Sequence, residues 1–164
     1  MNFTNIPLDG GLIIKGIVTI RQYDIASGRL IREQTLGNQI TNGGAAAVAQ
    51  WLCGVPNRGQ ASIAVPYPAY MELGDGTGTP APTDTDLFSP NVATNIHVTQ
   101  SAPSASNPLI AEWVGVWGPS YGPYSAGEIG LLSAQGTLFS HVMAPINLSA
   151  STSTSVTWRW ATSV

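Results

Sequence analysis

Met71-Glu72-Leu73-Gly74-Asp75-Gly76-Thr77-Gly78-Thr79-Pro80-Ala81-Pro82-Thr83-Asp84-Thr85-Asp86-Leu87 is the longest run in this chain that cannot be regular structure. Three glycines alternate with polar residues, two prolines follow, and a Thr/Asp series closes it. Glycine admits φ > 0, and proline fixes φ and removes a backbone donor. An apolar strand over residues 69–73 should therefore enter a long, shaped, exposed loop. Upstream the chain reads as a hairpin and one helix, downstream as strands. The loop either performs chemistry or shapes a surface.

Upstream, Val18 and Ile20 alternate with Thr19 and Arg21, the period of a strand with one wet face. Residues 24–28 form a turn with Gly28 placed late, as in a hairpin carrying an αL residue, and residues 29–36 return. Ala45, Val48, Ala49 and Leu52 then fall at the spacing of a helix face. Thr41 or Asn42 can cap that helix, and Gly54 and Pro56 end it. Downstream, Ile96 and Val98 alternate with His97 and Thr99. Residues 109–117 set Trp113 and Trp117 against Ile110, Val114 and Val116. Residues 118–127 read as a Gly/Pro/Tyr loop, 128–132 as a short strand, 133–136 as a turn and 138–143 as its return. Val156, Trp158 and Trp160 share one face, opposite Thr157 and Arg159.

About seven or eight short strands separated by turn signals predict a mainly β chain. The expected fold is a single β-sandwich or jelly-roll-like domain over residues 12–164. It carries one short α-helix at about residues 43–53, and a polar N-terminal arm (1–11) precedes it. The four tryptophans at 113, 117, 158 and 160 are the expected core anchors.

At 164 residues the chain can bury a proper core. Charged residues make up 9 %, against roughly 25 % in ordinary soluble domains. A neutral, hydroxyl-rich surface of this kind suits a protein that hides area in assemblies. Six Lys+Arg and a net charge of −3 argue against nucleic-acid binding. A single cysteine, Cys53, excludes an intrachain disulfide. The N-terminus lacks the basic and apolar regions of a signal peptide, and no apolar run is long enough for a transmembrane helix, so no membrane partner is expected.

Several residue sets invite chemistry. Gly118-Pro119-Ser120-Tyr121-Gly122 matches the nucleophile-elbow pattern, but Pro123 follows where a helix must start, so Ser120 reads as part of a tight surface loop. Gly74-Asp75-Gly76-Thr77-Gly78 fits neither dinucleotide nor phosphate-loop spacing. Asp75, Asp84 and Asp86 offer oxygen ligands for Ca²⁺, without EF-hand spacing; the plainer reading has Asp84 and Asp86 bonding local amides. His97, His141 and Cys53 lack zinc-ligand spacing and read as ordinary residues. Glu112 and Glu128 would be the carboxylates of a glycosidase, but a structural role for Glu128, holding the preceding loop, is the better reading. Tyr67, Tyr70, Tyr121 and Tyr124 could stack on sugars or simply cover the core.

Three segments together carry a resemblance. The first is Asn38-Gln39-Ile40-Thr41-Asn42-Gly43-Gly44 running into an alanine-rich helix. The second joins Leu73-Gly74-Asp75-Gly76-Thr77-Gly78-Thr79-Pro80 to Thr83-Asp84-Thr85-Asp86-Leu87. The third is Glu128-Ile129-Gly130-Leu131-Leu132, then Gly136-Thr137-Leu138-Phe139-Ser140-His141-Val142, and finally Ser155-Val156-Thr157-Trp158-Arg159-Trp160. In this order, over about residues 15–160, the chain resembles small virion proteins of tailed bacteriophages, found as head decoration or tail-associated β-sandwich subunits. The resemblance implies a non-enzymatic structural protein of the virion, assembled in the host bacterial cytoplasm. It implies no catalytic, metal or cofactor residues. The expected role is a capsid decoration (cement) protein, trimeric, with the major capsid protein or other virion proteins as partners. The alternative is a tail, baseplate or fibre subunit that takes part in host attachment, with glycan binding. Expected contact residues are Asn2, Phe3 and Ile6 of the arm, Asp75, Thr77 and Thr79 of the loop, and Tyr121 and Tyr124.

Overall fold

The computed structural model describes residues 6–8, 12–52, 66–101 and 110–163. Within them the chain runs β1 (Ile6–Leu8), β2 (Leu12–Asp24), β3 (Leu30–Gly37), β4 (Gln39–Ile40), α1 (Asn42–Leu52), β5 (Pro68–Gly74), β6 (Pro90–His97), β7 (Thr99–Ser101), β8 (Ile110–Trp117), β9 (Tyr124–Ser133), β10 (Leu138–Leu148) and β11 (Thr152–Ser163). Two antiparallel sheets pack face to face as a sandwich with one short helix, as the strand pattern predicts. In the first sheet the order is β1-β2-β11-β8-β7, and β3 also pairs with β2. β1 lies along Leu12 to Ile14 and β3 along Ile17 to Tyr23, so the two share one edge of β2. The second sheet has the order β4-β10-β9-β5-β6.

The core fills the space between the sheets. Val18, Trp117, Val156 and Trp158 from the first meet Met71, Leu73, Ile129, Leu131 and Ile146 from the second. All four expected tryptophan anchors are buried. Trp113 and Trp160 meet edge to face at 5.4 Å. Each buried indole contributes about 2–3 kcal/mol by area.

The hairpin of β2 and β3 follows its sequence reading, with Gly28 at φ +67°. Asp24 Oδ1 accepts from the Ser27 hydroxyl at 2.6 Å and the Ser27 amide at 2.8 Å, closing the turn. The Ser27 hydroxyl, and after it the Ser27 amide, hold the Asp24 carboxyl below its ordinary range. Because the folded-state value is depressed, this turn contact is complete above the unfolded-state value and is lost as pH falls through the folded one. An NMR titration should place the Asp24 midpoint below that of an ordinary aspartate, and Ser27→Ala should bring it back up.

Four details depart from the expectation. Part of the arm, Ile6–Leu8, is a strand paired with β2. The stretch expected as loop up to residue 127 becomes strand at Tyr124, so β9 is ten residues long. The stretch 95–100 is not one strand, because it leaves the second sheet after His97 and joins the first at Thr99. The helix face is also out of phase. Its buried residues are Gly44 and Ala47, Ala49 is exposed, and Leu52 is 66 % exposed. The reason is close approach: a Cβ at Gly44 would collide with the backbone of Phe139, so the smallest residues face β10, while Val48 packs half-buried on the core and Trp51 stacks on Phe139 at 6.0 Å. Thr41 caps the helix, its Oγ1 accepting from the Gly44 amide at 3.2 Å. The expected terminators Gly54 and Pro56 lie outside the described residues.

Candidate functional site

The motif loop lies as a third layer on the outer face of the second sheet. β9 alternates, sending Ile129 and Leu131 inward and Glu128, Gly130 and Leu132 outward. Glu128 and Gly130 are nonetheless buried, because the loop covers them. Leu87 packs over Gly130, where a Cβ would sit 3.0 Å from Leu87 Cδ2. In the register, His141 stands opposite Gly130 and Met143 opposite Glu128, so His141 and Glu128 are diagonal neighbours on one face.

Glu128 is fully buried and carries four hydrogen bonds. Oε1 accepts from the amides of Gly76 at 3.1 Å and Ser89 at 2.8 Å. Oε2 accepts from the Phe88 amide at 3.1 Å and meets His141 Nε2 at 2.7 Å. His141 Nδ1 meets Asp84 Oδ2 at 3.1 Å, and that oxygen also accepts from the Ala81 amide at 2.8 Å. The Phe88 ring covers the imidazole at 4.8 Å. The helix joins in as the Asn42 amide donates to the Pro82 carbonyl at 2.7 Å. Both ends of the loop and its middle are thus tied to one carboxylate–imidazole–carboxylate row.

This row explains the glycines. A Cβ at Gly74 or Gly76 would collide with Glu128 Oε1, and one at Gly127 would sit 2.7 Å from the Gly76 carbonyl. Among the described glycines, positive φ occurs at Gly28 and Gly136, outside the loop. The loop glycines therefore serve close approach rather than left-handed backbone. Glu128 does hold a loop, but the one at 74–89 rather than the one preceding it.

Such a row is the raw material of acid–base catalysis, yet here it acts as a clamp. Both imidazole nitrogens are taken by carboxylates, and His141 and Glu128 have no solvent access, so neither is placed to serve Ser120 as a base. Ser120 is exposed on a short 3₁₀ turn, Pro119–Tyr121. Glu112 faces outward from the first sheet and pairs with Arg159 Nη2 at 2.8 Å, so it and Glu128 lie on opposite sides of the sandwich. Among the described residues no group of three His, Cys, Asp or Glu side chains is arranged to hold a metal ion. Asp84 bonds the clamp, Asp86 accepts from the Leu87 amide at 2.8 Å, and Asp75 is exposed. His97 is exposed and stacks on Tyr70 at 4.3 Å. Cys53 lies outside the described residues.

The expected contact residues that the structure describes belong to β1, the loop and residues 121–124. Thr77 and Thr79 are exposed with Asp75 on the loop. Tyr121 and Tyr124 are half-buried and pack on the core. Burial is the main cause pushing the Tyr124 hydroxyl above its ordinary pKa. Tyr67 is exposed and Tyr70 half-buried. Ile6 is in β1, and Asn2 and Phe3 lie outside the described residues. One residue escaped the sequence reading: Glu72, buried in β5 between Met71 and Leu73. A lone carboxylate inside an apolar strand was the available signal.

Comparisons with known protein families, with curated proteins and with solved structures found no match to this chain.

Proposed function

We propose that this chain is a non-enzymatic structural subunit of a tailed-bacteriophage virion, acting as a capsid decoration protein. The observation that supports this reading best is how the motif segments meet. The segment around Thr41, the Gly/Thr/Asp loop and the Glu128–His141 strands are hydrogen-bonded into one unit. Motifs that build a rigid surface rather than an open catalytic site suit a protein that works by contact. The outer face of the first sheet adds to this, since Thr19, Thr35, Ser155 and Thr157 give it a broad, hydroxyl-rich surface.

A decoration protein acts by mass action. It binds the assembled shell in preference to free subunits, and every contact then adds to shell stability. The exposed loop residues Asp75, Thr77 and Thr79 are the contact surface of this reading. The test is to mix the purified protein with undecorated expanded shells, and to count its copies in purified particles by quantitative gel. Saturable binding that raises the temperature of shell disruption, with hundreds of copies per particle, is the expected result. No binding, with a few copies per particle, would overturn the decoration role in favour of the neck, tail or fibres.

A further inference from the structure

The loop leaves part of the second sheet's outer face uncovered. There a groove of 430 Å³ runs between Asp86 of the loop, Pro90, Val92 and Asn95 of β6, and Leu132 of β9, with Glu72 at its base. Glu72 is 5 % exposed. Asn95 Nδ2 donates to its Oε2 at 3.1 Å, while Oε1 has no hydrogen-bond partner. A buried carboxylate with one oxygen unanswered is a cost that isolated folds avoid. The underpaired carboxylate lies against the groove and favours a cation there.

The groove's size and lining identify the kind of cation. It is far larger than a metal ion, and it has two carboxylates where Ca²⁺ takes 6–8 oxygens. Pro90, Val92 and Leu132 give it an apolar wall, with Val92 78 % exposed. Acid at the base and aliphatic walls above match a long basic side chain, whose stem packs while its head bonds carboxylates.

This chain carries such a group. Among the described residues, Arg29 is the cationic side chain without a hydrogen bond or ion pair. Arg21 and Arg159 are paired with Glu33 and Glu112, Arg32 bonds Pro145 and Gln34, and Lys15 is engaged elsewhere. Arg29 sits at the tip of the β2–β3 hairpin, flanked by the exposed apolar residues Ile25, Leu30 and Ile31. We propose that the groove over Glu72 and Asp86 receives the Arg29 hairpin tip of a second copy of this chain. Tip and groove are different surfaces, so the contact is head-to-tail and either closes into a ring or runs on as a chain of subunits. It is measured on the isolated protein and stands apart from the virion reading.

The experiment is sedimentation velocity of the full chain over a concentration series at low and high salt. The wild type should self-associate, less so at high salt. Arg29→Glu and Asp86→Arg, both at exposed positions, should each raise the dissociation constant about tenfold or more, and the double variant should recover association. Glu72→Gln should weaken association while its melting temperature stays level or rises, because it removes the unanswered buried charge. A wild type that stays monomeric throughout, or a folded double variant no better than the single ones, would overturn the proposal.

Discussion

Glu128→Ala should lower the unfolding free energy by about 3–5 kcal/mol, measured by urea denaturation. The carboxylate answers three backbone amides and one imidazole nitrogen in a region closed to water. Removing it leaves those donors buried without an acceptor, and each such group costs about 1–3 kcal/mol before the loop relaxes. Relaxation is the reason the total stays below the sum. The loop is expected to lift, wetting Leu87 and Gly130, while the sandwich beneath remains. Amide exchange should show it: Gly76, Phe88 and Ser89 should lose protection in the variant well before the strands do. Glu128→Gln keeps the shape but turns one acceptor into a donor pointing at donors, so an intermediate loss of about 1–3 kcal/mol is expected. Uniform loss of protection across β9 and β10 would mean that Glu128 supports the sheet rather than the loop.

Trp117→Ala should cost about 3–5 kcal/mol, the range for emptying an aromatic site in a packed core. The indole is fully buried, and its Nε1 donates across the sandwich to the Thr94 carbonyl at 2.7 Å. Thr94 is itself a junction. Its hydroxyl accepts from the Leu73 amide at 2.9 Å and donates to the Asn91 carbonyl at 2.7 Å, where the register of β5 and β6 shifts between Met71 and Leu73. One side chain of the first sheet thus braces the irregular edge of the second. Trp117→Phe separates the two contributions by keeping most of the volume and losing the hydrogen bond, and about 1–3 kcal/mol is expected. If phenylalanine proves neutral, the cross-sheet bond carries no weight and the alanine effect is cavity alone.

The sandwich was legible because its strands alternate. Val18 and Ile20, and Val156, Trp158 and Trp160, point inward as a period of two requires. Hydrophobic pattern failed where contact is made by the smallest residues: Gly44 and Ala47 dock the helix, and no hydrophobicity scale marks glycine as a contact. It failed again at residues 124–127, which read as a continuation of the Gly122-Pro123 loop although β9 begins at Tyr124. The clamp was half legible. Glu128 beside a glycine-containing strand suggested a loop anchor, and Asp84 an amide-bonding turn residue. The loop amides that Glu128 holds sit 39 to 52 positions from it and His141 sits 57 from Asp84, and local spacing cannot express that.

β11 follows every other strand in the chain, yet it occupies an inner position of its sheet, between β2 and β8. It pairs with β2 from Asp24 to Ile13 and with β8 from Trp117 to Ile110. A nascent chain on the ribosome therefore holds two open strand edges, one made early and one late, until β11 emerges and inserts between them. Such non-local closure is slow, and open edges are sticky while they wait. Trp158 and Trp160 arrive with that strand, so the core and the sheet close in the same event. A chain of this design gains its sheet and its core all at once, and one stopped short of β11 is left as a target for proteolysis rather than as a weaker fold.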